Sequence, residues 1–357
     1  MYSCIGRGIV KSKVFSLVIV LTLMAFWIGC NWINAKSPTS MPSHPTIAPI
    51  TVTFEPLDIN EPNVLNYQDA WLAYISNDGD VKLVDFNGTK HKQLTTDGGN
   101  SYPSWSRDSS RLAYIHEGSE IWVYDMSTQT KTRVHRAERP LDSNCLFRYI
   151  QWSPNGDGVF YHANCGGPTM NYINFVELGA NESPYSGFEV WAYPSHAISP
   201  QGDLLAYCVF SNADPWGWGI AIHNFNISSK YAPLSVQDEY KIEGPSDYEI
   251  LPLQDAYKIS GISWKPNSEM LTFYAESLGG SSETRIMTIF LDGHRIDVEK
   301  DISVILRSRI TLPTLSWSSD GQALAYENDD YIWIYSEGNA EKIIEGFNPS
   351  WQPSSLP

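Results

Sequence analysis

The sequence has few charged residues, and basic ones are especially scarce. Charged side chains make up 18% of its 357 residues, whereas roughly 25% is usual in a globular protein. The 24 Lys and Arg residues are outnumbered by 40 Asp and Glu residues, which leaves a net charge of −16. Such an acidic surface repels phosphate backbones and anionic lipid headgroups. We therefore expect the protein to bind no nucleic acid and to touch a membrane only through its N-terminus.

Motifs for catalysis and metal binding are also missing. The sequence contains no G-x-S-x-G elbow for a nucleophilic Ser. Its eight His include no H-E-x-x-H motif, and its five Cys include no C-x-x-C pair. The NDGD stretch at 77–80 could be a fragment of a calcium loop, but Asp-Gly favours a hairpin turn there. We expect no enzyme activity, no cofactor and no metal site.

The residues that are present favour β-structure. The chain has 13% aromatic residues, 25 Gly and 22 Pro. Aromatic side chains suit half-buried strands, while Gly and Pro interrupt helices. A helical bundle or a coiled coil is therefore excluded, and one large β domain is expected.

The N-terminus carries an apolar run at 14–30. Three basic residues precede this run, and no acidic residue occurs before Glu55, which is typical of a secretory signal or an N-terminal anchor. The residues before Cys30 resemble a bacterial lipobox. Three alternatives are open: lipidation of Cys30, cleavage after Ala35, or a retained anchor. Each of them predicts an extracytoplasmic protein, secreted or anchored as a lipoprotein in the bacterial cell envelope.

Five copies of one pattern follow. A β-prone stretch that ends in Trp leads into a turn with Asp, Asn or Gln, and a second β-prone stretch comes next; Ile198 replaces Trp in the third copy. The copies are PSWSRDSSRLAYI (103–115), IQWSPNGDGVFYH (150–162), HAISPQGDLLAYC (196–208), GISWKPNSEMLTFYA (261–275) and TLSWSSDGQALAYE (314–327). Asp and Asn bond their own backbone in tight turns. Each copy therefore predicts two strands joined by a hairpin.

A third alternating strand and a weaker fourth one follow most copies, as in YIWIYS at 331–336. Four antiparallel strands that repeat about every 40 to 50 residues are the signature of a β-propeller blade. The first repeat lacks the leading Trp strand, while NPSWQPSS at 348–355 is such a strand alone. We therefore predict an all-β, six-bladed β-propeller of four-stranded antiparallel blades. Pairing of the C-terminal strand with Trp71–Ile75 would close the ring in blade one.

These residues also resemble a known family. LTTDGGNSYPSWSRDSSRLAYI at 94–115 and the closing PSWQP are similar to TolB-type β-propeller repeats, which also occur in propellers of the prolyl oligopeptidase family. The resemblance covers residues 67–357, and it implies a periplasmic or cell-surface binding platform. We divide the chain into a signal or anchor (1–30), a tether rich in Pro, Ser and Thr (31–66), and the propeller (67–357).

We therefore expect a noncatalytic, monomeric scaffold that binds a protein, a peptide or a glycan. The loops between second and third strands gather on one face of a propeller, and long loops on a rigid scaffold often carry recognition. One of them, SNADPWGWG, places two Trp residues among Gly residues. Asp214, Trp216 and Trp218, with Asp329 and Asp330 of another loop, are predicted to contact a neutral or cationic partner.

The alternative is a propeller enzyme, a lyase or hydrolase acting on a sugar polymer at the central channel. Its candidate residues are His116, His162, His196 and Asp330. Converging His and carboxylate groups would favour the enzyme, whereas a groove lined by aromatic residues would favour binding.

The cysteines and the repeated tryptophans carry structural predictions. Cys145 and Cys165 stand ten residues to either side of the turn at Asn155, so a disulfide is predicted across the two strands. Cys208, inside an apolar strand, is predicted to be a buried free thiol. The repeated Trp residues are expected to pack between blades, and the Asp and Asn residues to form the turns. These residues are Trp105, Trp152, Trp264, Trp317 and Trp351, and Asp108, Asn155, Asn267 and Asp320.

Overall fold

The computed structural model describes residues 67–137, 146–164, 171–179, 187–189, 192–211, 217–224, 248–252, 257–277, 284–291, 295–297, 304–306 and 312–353. All of them belong to the second of two compact units, Glu55–Pro357. The predicted signal or anchor, its Cys30 and the tether lie outside the described residues. Within the described ranges there is no helix of the length and apolarity that a membrane crossing requires.

The described residues form 24 β-strands, which assemble into six four-stranded antiparallel sheets. Sheet 1 contains β24 (Phe347–Trp351), β1 (Trp71–Ile75), β2 (Val81–Asp85) and β3 (His91–Gln93). Sheet 2 contains β4 (Asn100–Trp105), β5 (Arg111–His116), β6 (Glu120–Asp125) and β7 (Thr130–Arg136). Sheet 3 contains β8 (Leu146–Trp152), β9 (Gly158–Asn164), β10 (Asn171–Glu177) and β11 (Gly187–Glu189). Sheet 4 contains β12 (Ala192–Ile198), β13 (Leu204–Ser211), β14 (Gly217–Asn224) and β15 (Tyr248–Pro252). Sheet 5 contains β16 (Tyr257–Trp264), β17 (Met270–Ser277), β18 (Thr284–Phe290) and β19 (Arg295–Asp297). Sheet 6 contains β20 (Leu315–Trp317), β21 (Ala323–Asn328), β22 (Tyr331–Ser336) and β23 (Asn339–Glu345).

Burial explains which strand takes which place in a sheet. The second strands β5 and β21 are buried at four and five consecutive positions, because neighbouring sheets cover both of their faces. The outermost strands β7 and β23 are mostly exposed and carry Lys, Arg and Glu side chains. Charges on a sheet edge discourage pairing with other chains.

One strand of each sheet, called here its inner strand, contacts the inner strands of two other sheets. The inner strands are β4, β8, β12, β16, β20 and β24, and their contacts form a cycle in that order, from β4 through β24 back to β4. They therefore surround a common axis. In sheet 1, β24 pairs with β1 through Leu72–Trp351, Ala73–Ser350 and Ile75–Phe347.

The repeated Trp residues lie at the ends of inner strands, and their predicted packing between sheets is confirmed. Trp105, Trp152, Trp264 and Trp351 are buried, and each packs in a hydrophobic cluster with the sheet before its own. Trp317 is half-buried, and its Nε1 donates to Thr272 Oγ1 of the preceding sheet at 3.1 Å.

The predicted turn residues also act as predicted. The Asp108 Oδ1 accepts hydrogen bonds from Ser106 Oγ at 2.7 Å and from the Ser110 N–H at 3.1 Å. Asn267 and Asp320 likewise accept the backbone N–H two residues on, whereas Asn155 donates its side-chain amide N–H to the Asp157 carboxylate in its turn. The 77–80 stretch is a hairpin between β1 and β2, in which Gly79 has a φ of +80°. Only Gly adopts that conformation without strain.

Cys208 is a buried free thiol, as predicted, and burial raises the pKa of that thiol. Cys145 and Cys165 lie outside the described residues. The pairing of β8 with β9 begins at Leu146–Asn164, one residue along the chain from each of the two Cys positions. The Cys145–Cys165 disulfide stays a prediction that this register favours.

Candidate functional site

A cavity of about 980 Å³ lies on the axis that the inner strands surround. All six inner strands contribute to its wall, together with the turns that connect them to the second strands. Because these turns form its mouth, the cavity opens on the face opposite the turns between second and third strands. One wall residue from each sheet directly precedes the Trp or Ile198 position: Ser104, Gln151, Ala197, Ser263, Ser316 and Ser350.

Tyr102 and Tyr149 close the other end of the cavity and form what is called here its floor. Both are buried, and their ring centroids lie 5.1 Å apart. The Tyr102 hydroxyl accepts the Leu312 N–H at 2.6 Å, and the Tyr149 hydroxyl donates to Pro313 O at 2.7 Å. The Gly261 N–H donates to the Tyr149 hydroxyl at 3.2 Å. These bonds join sheets 2, 3 and 5 to the segment before β20, so the cavity is blind.

The floor rests on irregular inner strands. Tyr102, Tyr149 and Asn348 have φ values of 51°, 44° and 51°, and Gly261 has 61°. Each stands three residues before the Trp of its strand, and pairing with the second strand shifts register nearby in all four strands. Such β-bulges redirect side chains, and here the two Tyr rings reach the axis. At Gly261 a Cβ would lie 2.8 Å from Pro313 O, so no other residue fits.

A buried carboxylate ties the floor together from below. Glu327 Oε1 accepts the Thr314 N–H at 3.0 Å, the Asn348 N–H at 2.9 Å and the Asn348 Nδ2 at 3.2 Å. The Asn348 Oδ1 in turn accepts the Tyr102 N–H at 3.3 Å. Burial raises the pKa of Tyr102 to about 12, so its hydroxyl stays protonated at neutral pH.

Each inner strand has one edge that faces the axis. Side chains of the preceding sheet form hydrogen bonds with backbone groups on this edge. Ser104 Oγ accepts the Trp152 N–H at 3.3 Å, and Ser316 Oγ accepts the Trp351 N–H at 2.9 Å. Gln151 accepts the Ile198 N–H at 2.8 Å and donates to its carbonyl at 2.9 Å. These bonds satisfy backbone groups that an open sheet edge would leave exposed, and they make the wall rigid.

Two buried histidines lie beside the cavity. His196 in β12 lines the cavity, and His162 in β9 lies near it. Within the described part of the chain, neither ring nitrogen of either residue has a hydrogen-bond partner. Burial lowers the pKa of His196 to about 4. Burial, with the nearby His196 and Arg148, lowers the pKa of His162 well below its usual value. Both imidazoles are therefore neutral at pH 7.

The other candidates from the sequence do not line the cavity. The His116 Nδ1 pairs with Asn100 Oδ1 at 3.0 Å, and its ring meets Trp122 edge-on at 6.2 Å. Asp329 and Asp330 lie in the turn between β21 and β22, on the face opposite the mouth. The structure therefore brings together His162 and His196 but adds neither His116 nor Asp330 to them.

The remaining predicted binding residues cannot be placed beside Asp329 and Asp330. Asp214 and Trp216 lie outside the described residues, and Trp218 is described only as a backbone position in β14, paired with Phe210. The surface formed by these five residues stays a prediction. Across the described ranges, no three His, Cys, Asp or Glu side chains lie close enough together to hold a metal ion.

Three charged residues line the cavity among those described: Arg107, Asp108 and Arg111. The Arg111 guanidinium lies 4.6 Å from the centroid of the Trp152 ring, and its Nη2 donates to Gly156 O at 3.0 Å. Partial burial opposes ionisation of Asp108, but hydrogen bonds from Ser106 and Ser110 lower the pKa of its carboxyl.

Sequence analysis did not identify the residues of the floor. The available signal was positional, since Tyr102 and Tyr149 both stand three residues before a repeated Trp. The equivalent positions of the other four inner strands hold Ser195, Gly261, Thr314 and Asn348, so no residue type marks the position in the sequence.

The fold is similar to solved propeller structures. No family model matches the chain, and no curated protein is significantly similar to it. The chain is similar to TolB from Acinetobacter baumannii with a TM-score of 0.59 and 14% identity, over 82% of this chain and 68% of that one. It is also similar to a chain of a nidogen/laminin complex with a TM-score of 0.54 and 11% identity, over 79% of this chain and 98% of that one. At these identities the similarity shows the fold alone: the chain has a TolB-like propeller fold, as its repeats indicated.

Proposed function

We propose that this protein is a noncatalytic, extracytoplasmic binding scaffold whose ligand enters the axial cavity. In this proposal the six sheets are the blades of a six-bladed propeller, and β24 closes the ring by joining β1. The observation that carries the proposal is the blind cavity itself, walled by all six inner strands and floored by Tyr102 and Tyr149.

The size and lining of the cavity support a ligand site. Its volume of about 980 Å³ falls within the roughly 300 to 1,000 Å³ of small-molecule pockets. Aromatic rings and small polar side chains line it, a mixture that suits recognition by packing and a few hydrogen bonds. Because hydrogen bonds between sheets fix its wall and floor, little ordering entropy is lost when a ligand binds.

The protonation of the cavity residues favours binding over catalysis. General acid or base catalysis works best when the pKa lies near the operating pH. The pKa of His196 is about 4 and that of Tyr102 about 12. At neutral pH both groups therefore offer hydrogen bonds in place of proton transfer.

The enzyme alternative keeps one specific observation in its favour, the pair of neutral histidines His162 and His196. A lyase or hydrolase would use one of them as a base on a sugar polymer. Incubation of the protein with pectic and other acidic polysaccharides, followed by reducing-end and ultraviolet assays, distinguishes the two functions. Turnover that is lost in His196→Ala would establish the enzyme and overturn the scaffold.

The cellular location and partner are inferred from the sequence. The apolar run at 14–30 and the lipobox-like residues before Cys30 support export, with or without a lipid anchor. The partner is a protein, a peptide or a glycan of the cell envelope, and the scaffold acts as a monomer.

Filling the cavity tests the proposal. Ser350 lies in the wall and Asn339 is exposed in β23, so Ser350→Trp should obstruct the cavity while Asn339→Trp leaves it open. We expect Ser350→Trp to reduce capture of the envelope partner by about tenfold or more, equivalent to about 1.4 kcal/mol. Both variants should keep the melting temperature of the wild type. Undiminished capture by a folded Ser350→Trp protein would contradict the proposal.

The opposite face is tested in the same assay. Replacement of Trp216 and Trp218 by Ala should leave capture unchanged if the cavity is the site. Loss of capture in this double variant, with normal capture by Ser350→Trp, would move the site to the surface that the sequence predicted.

A further inference from the structure

Two Ser hydroxyl groups of the cavity wall can donate hydrogen bonds to a ligand. A Ser hydroxyl has one donor hydrogen and two acceptor lone pairs. In Ser104 and Ser316 the oxygen already accepts a backbone N–H of the next sheet, at 3.3 Å and 2.9 Å. Both side chains line the cavity, so the hydrogen of each hydroxyl remains for a bond to a ligand acceptor.

A backbone donor faces the cavity next to Ala197. Lys265 N–H bonds Met270 O at 2.9 Å, and pairs in an antiparallel sheet alternate between bonded and non-bonded. The N–H of Trp264, one residue earlier, therefore points away from β17 and toward the axis, as the N–H of Trp152 does. In the preceding sheet Ala197 holds the place where the other five sheets have Ser or Gln, and it has no side-chain oxygen to accept this N–H.

Two of the three charged residues that line the cavity are cations. Of the three charged lining residues, Arg107 and Arg111 are cations, while the Asp108 carboxylate accepts hydrogen bonds from Ser106 and Ser110 within its own turn. Four further carboxylates of the turns between inner and second strands do not line the cavity. Asp157, Asp203 and Asp320 each accept a Ser hydroxyl of their own turn, and Glu269 accepts the Asn267 side-chain amide N–H. The charged residues that line the cavity therefore carry a net positive charge.

The neutral His196 adds a further polar group without a partner. Its side chain is 4% exposed, and both ring nitrogens lack a bond within the described residues. A buried polar group without a partner is costly, so a ligand atom that bonds this ring would be favoured.

We propose that the cavity binds a small carboxylate-bearing ligand, which accepts hydrogen bonds from the Trp264 N–H and the wall hydroxyls, while Arg107 and Arg111, across the ring from Trp264, give the lining a net positive charge. The inference deepens the proposed function and rests on it. An aromatic or ring-shaped body would pack on the Tyr102 and Tyr149 floor, while the carboxylate meets the donors that the wall presents.

A matched pair of probes tests the charge preference. 4-Fluorophenylacetate and 4-fluorophenylacetamide have nearly the same shape and differ in charge, and ¹⁹F NMR titration measures the affinity of each for the full chain. We expect the acetate to bind about tenfold more tightly. Arg107→Gln should remove most of that advantage, and Ser350→Trp should abolish binding of both probes.

The results distinguish an error in the ligand class from an error in the binding site. Equal affinity for the two probes, lost in both cases in Ser350→Trp, would overturn the carboxylate inference and leave the cavity as a binding site. Absence of binding by either probe at millimolar concentration would also overturn the inference, while capture of the envelope partner tests the proposed function independently.

Ala197→Ser tests the backbone donor without removing any existing contact. The new hydroxyl would accept the Trp264 N–H, as Ser104 accepts that of Trp152. We expect acetate affinity to fall by about fivefold while the melting temperature stays equal or rises. Ala340→Ser, the same substitution in the outermost strand β23, should change neither quantity. Wild-type acetate affinity in Ala197→Ser would contradict the role given to the Trp264 N–H.

Discussion

Tyr102 and Tyr149 pack against each other at the closed end of the cavity, with ring centroids 5.1 Å apart and ring planes tilted by 33°, although they belong to different sheets. Both residues have a positive φ, a conformation that costs about 1 to 3 kcal/mol in a residue with a side chain. The segment before β20 holds both hydroxyls in place: the Leu312 N–H donates to that of Tyr102, and that of Tyr149 donates to Pro313 O. The floor is therefore a built feature of the fold, and the cavity above it has a fixed depth.

Removing the Tyr149 hydroxyl tests the floor. Tyr149→Phe leaves Pro313 O and the Gly261 N–H without their partner in a buried place. We expect a loss of about 1 to 3 kcal/mol in the free energy of unfolding, measured by urea denaturation. Tyr331→Phe in the half-exposed β22 is the control and should change stability by less than about 0.5 kcal/mol. An equal effect of the two substitutions would mean that the hydroxyl bonds do not hold the floor.

Substitution of Gly261 and of Gly338 by Ala distinguishes steric crowding from backbone strain. Both have a positive φ, but a Cβ at Gly261 would meet Pro313 O at 2.8 Å, whereas a Cβ at Gly338 meets nothing within 4 Å. Gly338→Ala should cost about 1 kcal/mol of unfolding free energy from strain alone. Gly261→Ala should cost about 1 to 3 kcal/mol more. Similar values for both variants in the same denaturation experiment would rule out the close approach.

Stability should depend on pH through the buried histidines. Because the folded pKa of His196 is about 4 and the usual pKa of a His side chain is 6.5, the unfolded chain binds more protons between these pH values. Stability from this residue is present above about pH 6.5 and falls by roughly 3 kcal/mol as the pH drops to 4.

His196→Ile tests that dependence. Ile150 and Ile262 occupy the same place in their sheets, so Ile should fit. Between pH 7 and pH 4 the variant should lose less stability than the wild type in urea denaturation, with the remaining His162 keeping part of the effect. His91→Gln, a change on the exposed β3, serves as the control. An identical pH profile for wild type and His196→Ile would contradict the buried neutral state of His196.

Removal of β24 tests ring closure. Deletion of residues 347–357 takes away the partner of β1 and leaves a sheet edge whose second and later residues are buried in the intact protein. We expect a lower melting temperature and aggregation visible by light scattering. Deletion of 354–357 alone, which spares β24, should have neither effect. Unchanged melting after the longer deletion would show that the ring does not depend on this strand.

The sequence predicted the parts of the fold that recur. Each Trp and each Asp or Asn turn performs the same local task in several sheets, so the pattern alone identified them. The cavity floor depends on contacts between residues far apart in the chain, such as the Tyr149 hydroxyl and Pro313 O, which are separated by 164 residues. A repeated pattern in the sequence cannot predict a contact between residues so far apart. The enzyme alternative named His162 and His196 together, and they do meet, but the sequence could not separate them from His116 and Asp330, which do not line the cavity.

The axial cavity proposed as the binding site could not be read from loop composition. The sequence favoured the face of the turns between second and third strands, where Asp329 and Asp330 lie. The cavity opens on the other face, where the turns between inner and second strands form its mouth. These turns are short, and their composition is ordinary. Their arrangement around the axis forms the cavity, and only the assembled sheets bring them together.

Photo-crosslinking in the native envelope tests the central claim most directly. A benzoylphenylalanine is placed at Ser350, in the cavity wall, or at Asp330, on the opposite face. We predict that the partner crosslinks to position 350 and not to position 330. A partner that crosslinks at 330 and never at 350 would contradict the axial cavity as the binding site.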